Sequence, residues 1–380
     1  MDLQTFRALL TDEGQSLLAA AMRDDGSAGE SGPRSEWGSG HPAALVAAAS
    51  EQVRLRGLAS AKFGEYAPHM YFTPDSVELS SHLAVAEYKL GRVLHEIGVV
   101  LIEAICLGSG ADALVLSWSH HTTAVDTDPL TVEMAEANGR AMDTRMFFPA
   151  REDISGFNSQ GEADFIDLMR PPGPDGSHDP ESYSPPLSWA LKRVRTTGGG
   201  WIRLTPGLAP GAVPDLGRAD EAEWISYDGA IQEMVLWYGL GEWGKPPPVT
   251  ARRATLLPAG ASLTGRGLSE PAVRPPGRYV YVPDPAVVHA GLLAEVAEDI
   301  GGGLLDGGGT LLTSDYARHT PFATAYEVTD VRPRDGQDLW ADADAPEAPY
   351  GPGARAAFAV DAAAGPATLT AVPVRFPQEP

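Results

Sequence analysis

The sequence predicts an α/β protein built on a parallel sheet, and three observations carry that prediction. Apolar runs and helix-like segments alternate from Gly98 onward, as in βαβ units. The first such run, residues 99–102, is continuously apolar, as expected of a strand buried on both faces. It is followed by the turn Gly108-Ser109-Gly110 and then by a helix-compatible stretch around residues 113–116.

Taken in order, residues 1–22 read as helical, with Phe6, Leu9, Leu10, Leu17 and Leu18 at spacings of three and four. Residues 24–41 are rich in Gly and Ser and read as a loop. Residues 43–62, rich in Ala, Leu and Val, favour helix. Thr73-Pro74 has the signature of an N-cap followed by a first-turn proline, opening a helix through Val77, Leu83, Val85 and Leu90. Residues 1–95 therefore read as a helical domain. After the first strand come a strand at 122–125, a helix at 129–140 and strands at 145–148 and 163–167. A loop with many prolines follows at 171–186, then a helix at 187–194 and a strand at 201–204. A second Pro-rich seam at 243–249 is a candidate boundary. Beyond it, 278–282 reads as a strand, 286–300 as one helix, and 356–360 and 367–374 as strands.

Composition narrows the class. A chain of 380 residues that is 43% hydrophobic can bury sizeable cores. Its formal charge of −23, with only Lys62, Lys89, Lys192 and Lys245 as lysines, argues against a whole-protein footprint for nucleic acid or an anionic membrane. The single cysteine, Cys106, excludes an internal disulfide framework and a cysteine-rich zinc site. Met1 to Leu10 carries no apolar stretch of signal-peptide length. The longest apolar run, 97–107, is interrupted by Glu103 and falls short of the ~20 residues of a membrane span. The expectation is a soluble, cytoplasmic protein with no metal and no membrane or DNA partner.

The chemistry-bearing unit is a strand, the Gly108-Ser109-Gly110 turn, a helix, and a second strand ending in Asp126. Glycines let the backbone approach a ligand closely, and an acid after the second strand can accept both hydroxyl hydrogens of a ribose. The pattern points to a nucleotide-type cofactor. Ala113, three positions past Gly110, suits a dinucleotide, whereas Asp126-Thr127-Asp128-Pro129 with Ala135 and Asn138 more closely resembles the S-adenosylmethionine enzymes.

Residues 43–330 resemble the bacterial class I S-adenosylmethionine-dependent methyltransferases that carry a C-terminal THUMP-like domain. The resemblance rests on Ala61-Lys62-Phe63-Gly64, Phe72-Thr73-Pro74-Asp75, Gly110-Ala111-Asp112-Ala113-Leu114 and Val125-Asp126-Thr127-Asp128-Pro129-Leu130. It continues through Tyr183-Ser184-Pro185-Pro186-Leu187-Ser188-Trp189, Glu221-Ala222-Glu223-Trp224, Arg252-Arg253-Ala254-Thr255-Leu256-Leu257-Pro258 and Leu312-Thr313-Ser314-Asp315. It implies four parts: a helical domain at 1–95, a Rossmann-like methyltransferase sheet at 96–245, a small ferredoxin-like α+β module at 250–322 and a degenerate THUMP-like region at 323–380. It implies S-adenosylmethionine as cofactor and RNA as acceptor. The family's glycine loop falls on Gly108 and Gly110, its ribose acid on Asp126 and its adenine-side acid on Asp153. Asp112 is either a cofactor contact or a helix N-cap.

Three departures from the family pattern stand out. Its first-strand Asp-Leu-Gly-Cys-Gly is here Ala104-Ile105-Cys106-Leu107-Gly108, so its acid is absent unless Glu103 substitutes from the opposite face. Its Asp-Pro-Ala-Arg-Arg is here Asp167-Leu168-Met169-Arg170-Pro171. In that segment Asp167 suits an acceptor N–H, and Arg170 suits a phosphate. The basic segment of its last domain is replaced by the acidic, Pro-rich 331–355. Any RNA binding is therefore expected to be weak. The competing reading is a degenerate member of this fold that binds or scaffolds without catalysis.

Other candidates read as structural. His120-His121 lacks a partner at ligand spacing and reads as surface. Arg252-Arg253 reads as a solvated pair or a phosphate contact. Trp189, Trp201, Trp224 and Trp237 read as core or domain-interface aromatics. Cys106 reads as a core residue of the first strand.

Overall fold

A computed structural model of the chain describes residues 1–25, 37–154, 161–171, 173, 178–197, 199–208, 213, 216, 218–240, 247–333, 355–362 and 365–376. Much of the 24–41 and 171–186 loops, the start of the 243–249 seam and nearly all of 331–355 lie outside the described residues. The chain divides into two compact units, Met1–Asp220 with Val235–Val249, and Glu221–Met234 with Thr250–Pro380.

The first unit opens with five helices: α1 (Leu3–Leu9), α2 (Asp12–Asp25), α3 (Ala43–Phe63), α4 (Pro74–Leu79) and α5 (Leu83–Arg92). The single helix expected at 1–22 is two. Asp2 caps α1 by accepting the Thr5 N–H at 2.8 Å, and Thr11 restarts the chain by accepting the Gly14 N–H at 3.2 Å. A Cβ on Gly14 would stand 2.3 Å from the Ala8 carbonyl oxygen, so only glycine permits the tight turn between α1 and α2. Phe6, Leu9, Leu17, Leu18, Leu45 and Ala49 bury the shared face.

The helix expected from Thr73 is also two. Thr73 and Ser76 form a reciprocal capping box at the start of α4. The chain then turns extended at Ser80 (ψ 144°), and His82 caps α5 by accepting the Ala84 N–H. This bend is pinned by two side chains. Lys62 Nζ donates to the carbonyls of Glu78 (2.6 Å) and Ser80 (2.9 Å), and Arg203 Nη2 donates to that of Leu79 (2.7 Å).

The sheet follows as β1 (Leu101–Ile105), α6 (Ala111–Leu116), β2 (His121–Asp126), α7 (Pro129–Ala141), β3 (Phe147–Arg151), β4 (Ala163–Asp167), α8 (Leu187–Val194) and β5 (Gly200–Leu204). Its order is β3-β2-β1-β4-β5, all parallel. β4 is buried at every position, as expected of a central parallel strand. β1 begins two residues later than expected because a π-turn at Val93–Ile97 ends in Gly98 with φ +68°. β3 lies two to three residues beyond the expected 145–148. Phe165, Trp201 and Trp237 stack in series, with centroids 5.5 and 5.7 Å apart.

The second unit contains the first part of the hairpin β6 (Glu221–Tyr227) and β7 (Ala230–Tyr238), then β8 (Ala251–Leu257) and β9 (Ala261–Thr264). β6 pairs in parallel with β8, and β8 pairs antiparallel with β9. The expected 286–300 helix is split into α9 (Pro285–Ala290) and α10 (Leu293–Ile300) by Gly291, which takes φ +69°. The remaining strands are β10 (Tyr279–Pro283), β11 (Gly303–Leu304), β12 (Leu312–Ser314), β13 (Ala323–Pro333), β14 (Ala356–Ala362) and β15 (Gly365–Pro373). They form a sheet in the order β11-β12-β10-β13-β15-β14, with antiparallel pairings throughout. Sequence patterning missed β6, β7, β8, β9, β11, β12 and β13. Among the described residues, no helix is long and apolar enough to cross a membrane.

Candidate functional site

The order β3-β2-β1-β4 reverses direction at β1, so a crevice opens beyond the carboxyl ends of β1 and β4. Two cavities lie along this edge of the first unit. One, of about 250 Å³, is lined by the glycine turn, by the α4–α5 bend and by the end of β4. The other, of about 270 Å³, is lined by Cys106, Asp126, Thr127, Asp153, Ile154 and Trp189 among others. Arg170 lines both. Of the seven site residues expected from sequence, Gly108, Asp112, Asp167 and Arg170 meet at the first cavity, and Asp126, Asp153 and Arg170 at the second.

Gly108 takes φ +56°, and a Cβ there would meet no atom within 4 Å, so it faces open space on the cavity wall. Gly110 lines neither cavity. It takes φ +79° as the N-cap of α6, and a Cβ would touch the Ala135 methyl at 3.4 Å, so its role is to turn the chain and seat α6 on α7.

Asp126 ends β2 with both carboxylate oxygens engaged. Oδ2 accepts the Leu107 N–H at 3.0 Å and Oδ1 the Asp128 N–H at 2.9 Å. Burial raises its pKa above the usual carboxylate value, and the two backbone donors act against that rise. Asp128 caps α7 by accepting from Leu130 and Thr131. Asp153 is exposed just after β3, on the same cavity.

Asp112 is not the N-cap; it sits inside the first turn of α6. Its carboxylate is buried, 2.5 Å from Lys89 Nζ, and accepts from Ser81 Oγ at 2.7 Å. Ser80 Oγ donates to Ser109 Oγ at 2.5 Å, so the α4–α5 bend is stitched to the glycine turn. Asn138 of α7 adds another tie, donating to the carbonyls of Tyr71 (3.0 Å) and Ser109 (3.3 Å).

Asp167 is held by Arg203, whose Nη1 donates to Oδ2 at 2.9 Å, and by the Met169 N–H, which reaches Oδ1 at 2.9 Å. Burial raises its pKa, and the Arg203 charge opposes the rise. Arg170 turns inward. Its Nη1 donates to the carbonyls of Asp167 (3.2 Å) and Met169 (2.8 Å), and its Nη2 to that of Ser184 (3.4 Å).

Several sequence expectations are corrected here. Glu103 does not reach the cavity. It accepts from Arg193 Nη2 and the Gly161 N–H, both at 2.9 Å, within a buried group that includes Asp164 and Thr197. Cys106 is buried, as expected of a core residue, but lies one residue past β1, at φ +66°, and lines the second cavity. Burial pushes its thiol up to about 12. His120 is buried rather than on the surface, and burial lowers its pKa; His121 stacks on Phe148 at 6.0 Å. Of Arg252 and Arg253, the first is exposed and the second half-buried, and both have partners within the protein. Arg252 donates to the Ala290 carbonyl at 3.1 Å, and Arg253 lies within 3.7 Å of Glu221 and Glu223. Trp189 lines the second cavity instead of a core. No group of three or more His, Cys, Asp or Glu placed to hold a metal occurs among the described residues.

Sequence reasoning passed over Ser80, Ser81, Lys89 and Arg203. Lys89 carried a signal: it falls on the buried stripe of α5 with Val85, Ala86 and Leu90. The others carried none.

A model for a domain of unknown function, DUF8688, matches residues 2–59. The chain is 28% identical over 249 residues to an uncharacterized S-adenosylmethionine-dependent methyltransferase of Mycobacterium tuberculosis, in strains H37Rv and CDC 1551 alike. That match covers 64% of this chain and 67% of the relative. A solved structure from Porphyromonas gingivalis W83, provisionally named a methyltransferase, superposes with a TM-score of 0.72 at 17% identity. It covers 95% of this chain and 99% of that one. The fold is the mixed α/β, Rossmann-like fold of class I methyltransferases, with a helical N-terminus and an antiparallel C-terminal sheet.

Proposed function

We propose that this protein is an S-adenosylmethionine-dependent methyltransferase whose cofactor lies across the two cavities. The observation that carries the reading is the placement of Asp126 and Asp153 in one cavity and Gly108, Asp112 and Asp167 in the next, with Arg170 common to both. The relatives named as such enzymes support it.

The residues fit a nucleoside with an amino-acid end. Each Asp126 oxygen spends one lone pair on a backbone N–H and keeps another for a ribose hydroxyl. Asp153 lines the same cavity, where its carboxylate would accept the hydrogen bond of an adenine amino group, and Ile154 and Trp189 provide apolar walls. The open space at Gly108 leaves room for the cofactor's backbone to pass.

When bound, the cofactor supplies an electrophilic methyl group on sulfur. The protein's part is alignment, since effective concentration carries much of the rate in a direct displacement. Asp167, fixed by Arg203, accepts a hydrogen bond from an acceptor N–H and so turns the nitrogen lone pair toward the reacting carbon. Arg170 donates to three backbone carbonyls, so its contribution is to shape the wall between the cavities rather than to seize a phosphate.

RNA is the acceptor class we infer, on the resemblance carried by residues 43–330. The charge pattern makes that binding weak. Arg7, Arg54, Arg140, Arg266 and Arg278 all face acidic partners. Two measurements test the proposal. Calorimetry with S-adenosylmethionine should show micromolar binding, and no binding at millimolar cofactor would overturn the enzyme reading. Titration of a labelled tRNA pool over several salt concentrations should give a shallow log–log slope. Nanomolar affinity at physiological salt, with a slope steeper than about −4, would overturn the weak-binding reading. No binding at any salt would overturn RNA as acceptor.

A further inference from the structure

We propose that β14 is a docking edge for a second copy of this chain, the two strands running antiparallel about Phe358. Among the described residues, β14 pairs with β15 alone and stands at the end of its sheet. The register says which backbone groups it leaves outward. Just past β15, the Val374 N–H donates to the Ala325 carbonyl of β13 at 2.9 Å, and Thr329 Oγ1 of β13 donates to the Thr370 carbonyl at 3.0 Å. Even-numbered residues of β15 thus turn toward β13, and odd-numbered ones toward β14. Those odd-numbered residues pair with Ala356, Phe358, Val360 and Ala362. The N–H and C=O groups of Ala357, Ala359 and Asp361 therefore point to the open edge.

The edge at β3 is guarded, and this one is not. The Thr122 N–H donates to the Met146 carbonyl and the Glu152 N–H to the Asp126 carbonyl, so even-numbered residues of β3 turn toward β2. Pro149 falls on the outer side, where it removes a donor from the edge. β14 carries no proline and no lysine, the usual guards of an open strand.

The strand is its own complement. A twofold axis through Phe358 sets Arg355 opposite Asp361 of the second copy, and the reverse pair follows by symmetry. Both side chains are exposed, and their spacing puts them on the same face of the strand. Ala357 meets Ala359 of the second copy, and their backbones exchange hydrogen bonds. Phe358, packed on Tyr326 at 5.3 Å, lies at the axis on the buried face. An axis one residue on, at Ala359, would oppose Asp361 to Ala357 and leave both ion pairs unmade. A contact of two strands is small beside standard interfaces, so the dissociation constant should be about 10–100 μM.

Sedimentation equilibrium of the full chain, over concentrations spanning that range, tests this. The wild type should pass from monomer to dimer. Ala359→Pro removes an outward N–H without touching the β14–β15 ladder, and should weaken association at least about 10-fold. Arg355→Asp and Asp361→Arg each oppose like charges, and should each weaken it about 10-fold. The double variant Arg355→Asp/Asp361→Arg restores opposite signs and should return it to within about threefold of wild type. Circular dichroism checks that each variant is folded, and the charge variants carry the test if proline disrupts the strand. A wild type that stays monomeric would overturn the proposal. So would a dimer that the single charge variants leave unchanged, or one that the double variant does not recover.

Discussion

Arg203 and Asp167 are direct cross-strand partners on β5 and β4, and the guanidinium joined to Asp167 by one nitrogen reaches Leu79 of α4 with another. One buried side chain thus ties the end of the central strand to the bend that walls the first cavity. Removing one member of a buried pair leaves an uncompensated charge. Arg203→Ala should therefore destabilise the protein by about 3–5 kcal/mol. Arg203→Lys should cost less than alanine without restoring wild-type stability, because an ammonium lacks the fork that spans both partners. Urea unfolding of the three proteins measures this. An alanine variant as stable as wild type would contradict the tie.

Asp126→Asn should weaken S-adenosylhomocysteine binding by about 1.5–3 kcal/mol, the range for a hydrogen bond to a charged group. Asparagine keeps one acceptor oxygen for the Leu107 or Asp128 N–H, so the fold should hold. Calorimetry on the folded variant is the check, and an unchanged dissociation constant would remove the ribose from this carboxylate.

The two turn glycines should separate binding from stability. At both, alanine must adopt a left-handed backbone, at a cost of about 1–2 kcal/mol. Gly110→Ala should stop at that cost, because its Cβ meets the Ala135 methyl at 3.4 Å and Leu114 at 3.7 Å, both ordinary contacts outside the cavities. Gly108→Ala should in addition weaken cofactor binding, since its Cβ enters open cavity space. Equal cofactor affinities in the two variants would place the cofactor elsewhere.

Cys106 gives a pH-dependent expectation with a definite sign. Its folded pKa is pushed up from 9.0 to about 12 by burial. The folded state therefore holds a proton that the unfolded state has lost between those values. This contribution is fully present below pH 9.0 and is lost as pH rises toward 12. Iodoacetamide should accordingly label the native thiol slowly at neutral pH and rapidly after unfolding. Fast native labelling at pH 7 would contradict the burial.

Much of the site was legible as one-dimensional pattern. The glycine turn, Asp126 and Asp167 each follow or end a strand, and the spacing of those strands along the βαβ pattern announces them. Asp153 was found through resemblance, because β3 is only half-buried and its pattern is weak. Helix breaks were less legible. Those at Thr11 and Gly291 depend on local turns, and the one at Ser80 depends on Lys62 and Arg203 holding carbonyls from a distance.

By itself, the sequence determined the parallel α/β class, the position of the turn and the acids at strand ends, because strand burial and glycine backbone freedom are local properties. Tertiary structure alone decided what those side chains face. Glu103 and Asp112 are acids on either side of one turn, yet packing sends the first to Arg193 and places the second, with Lys89 behind it, on the cavity. A buried charge goes where its partner is, and Arg193 and Lys89 lie 90 and 23 residues away along the chain. Such pairings are set by the packing of whole elements, which no local pattern records.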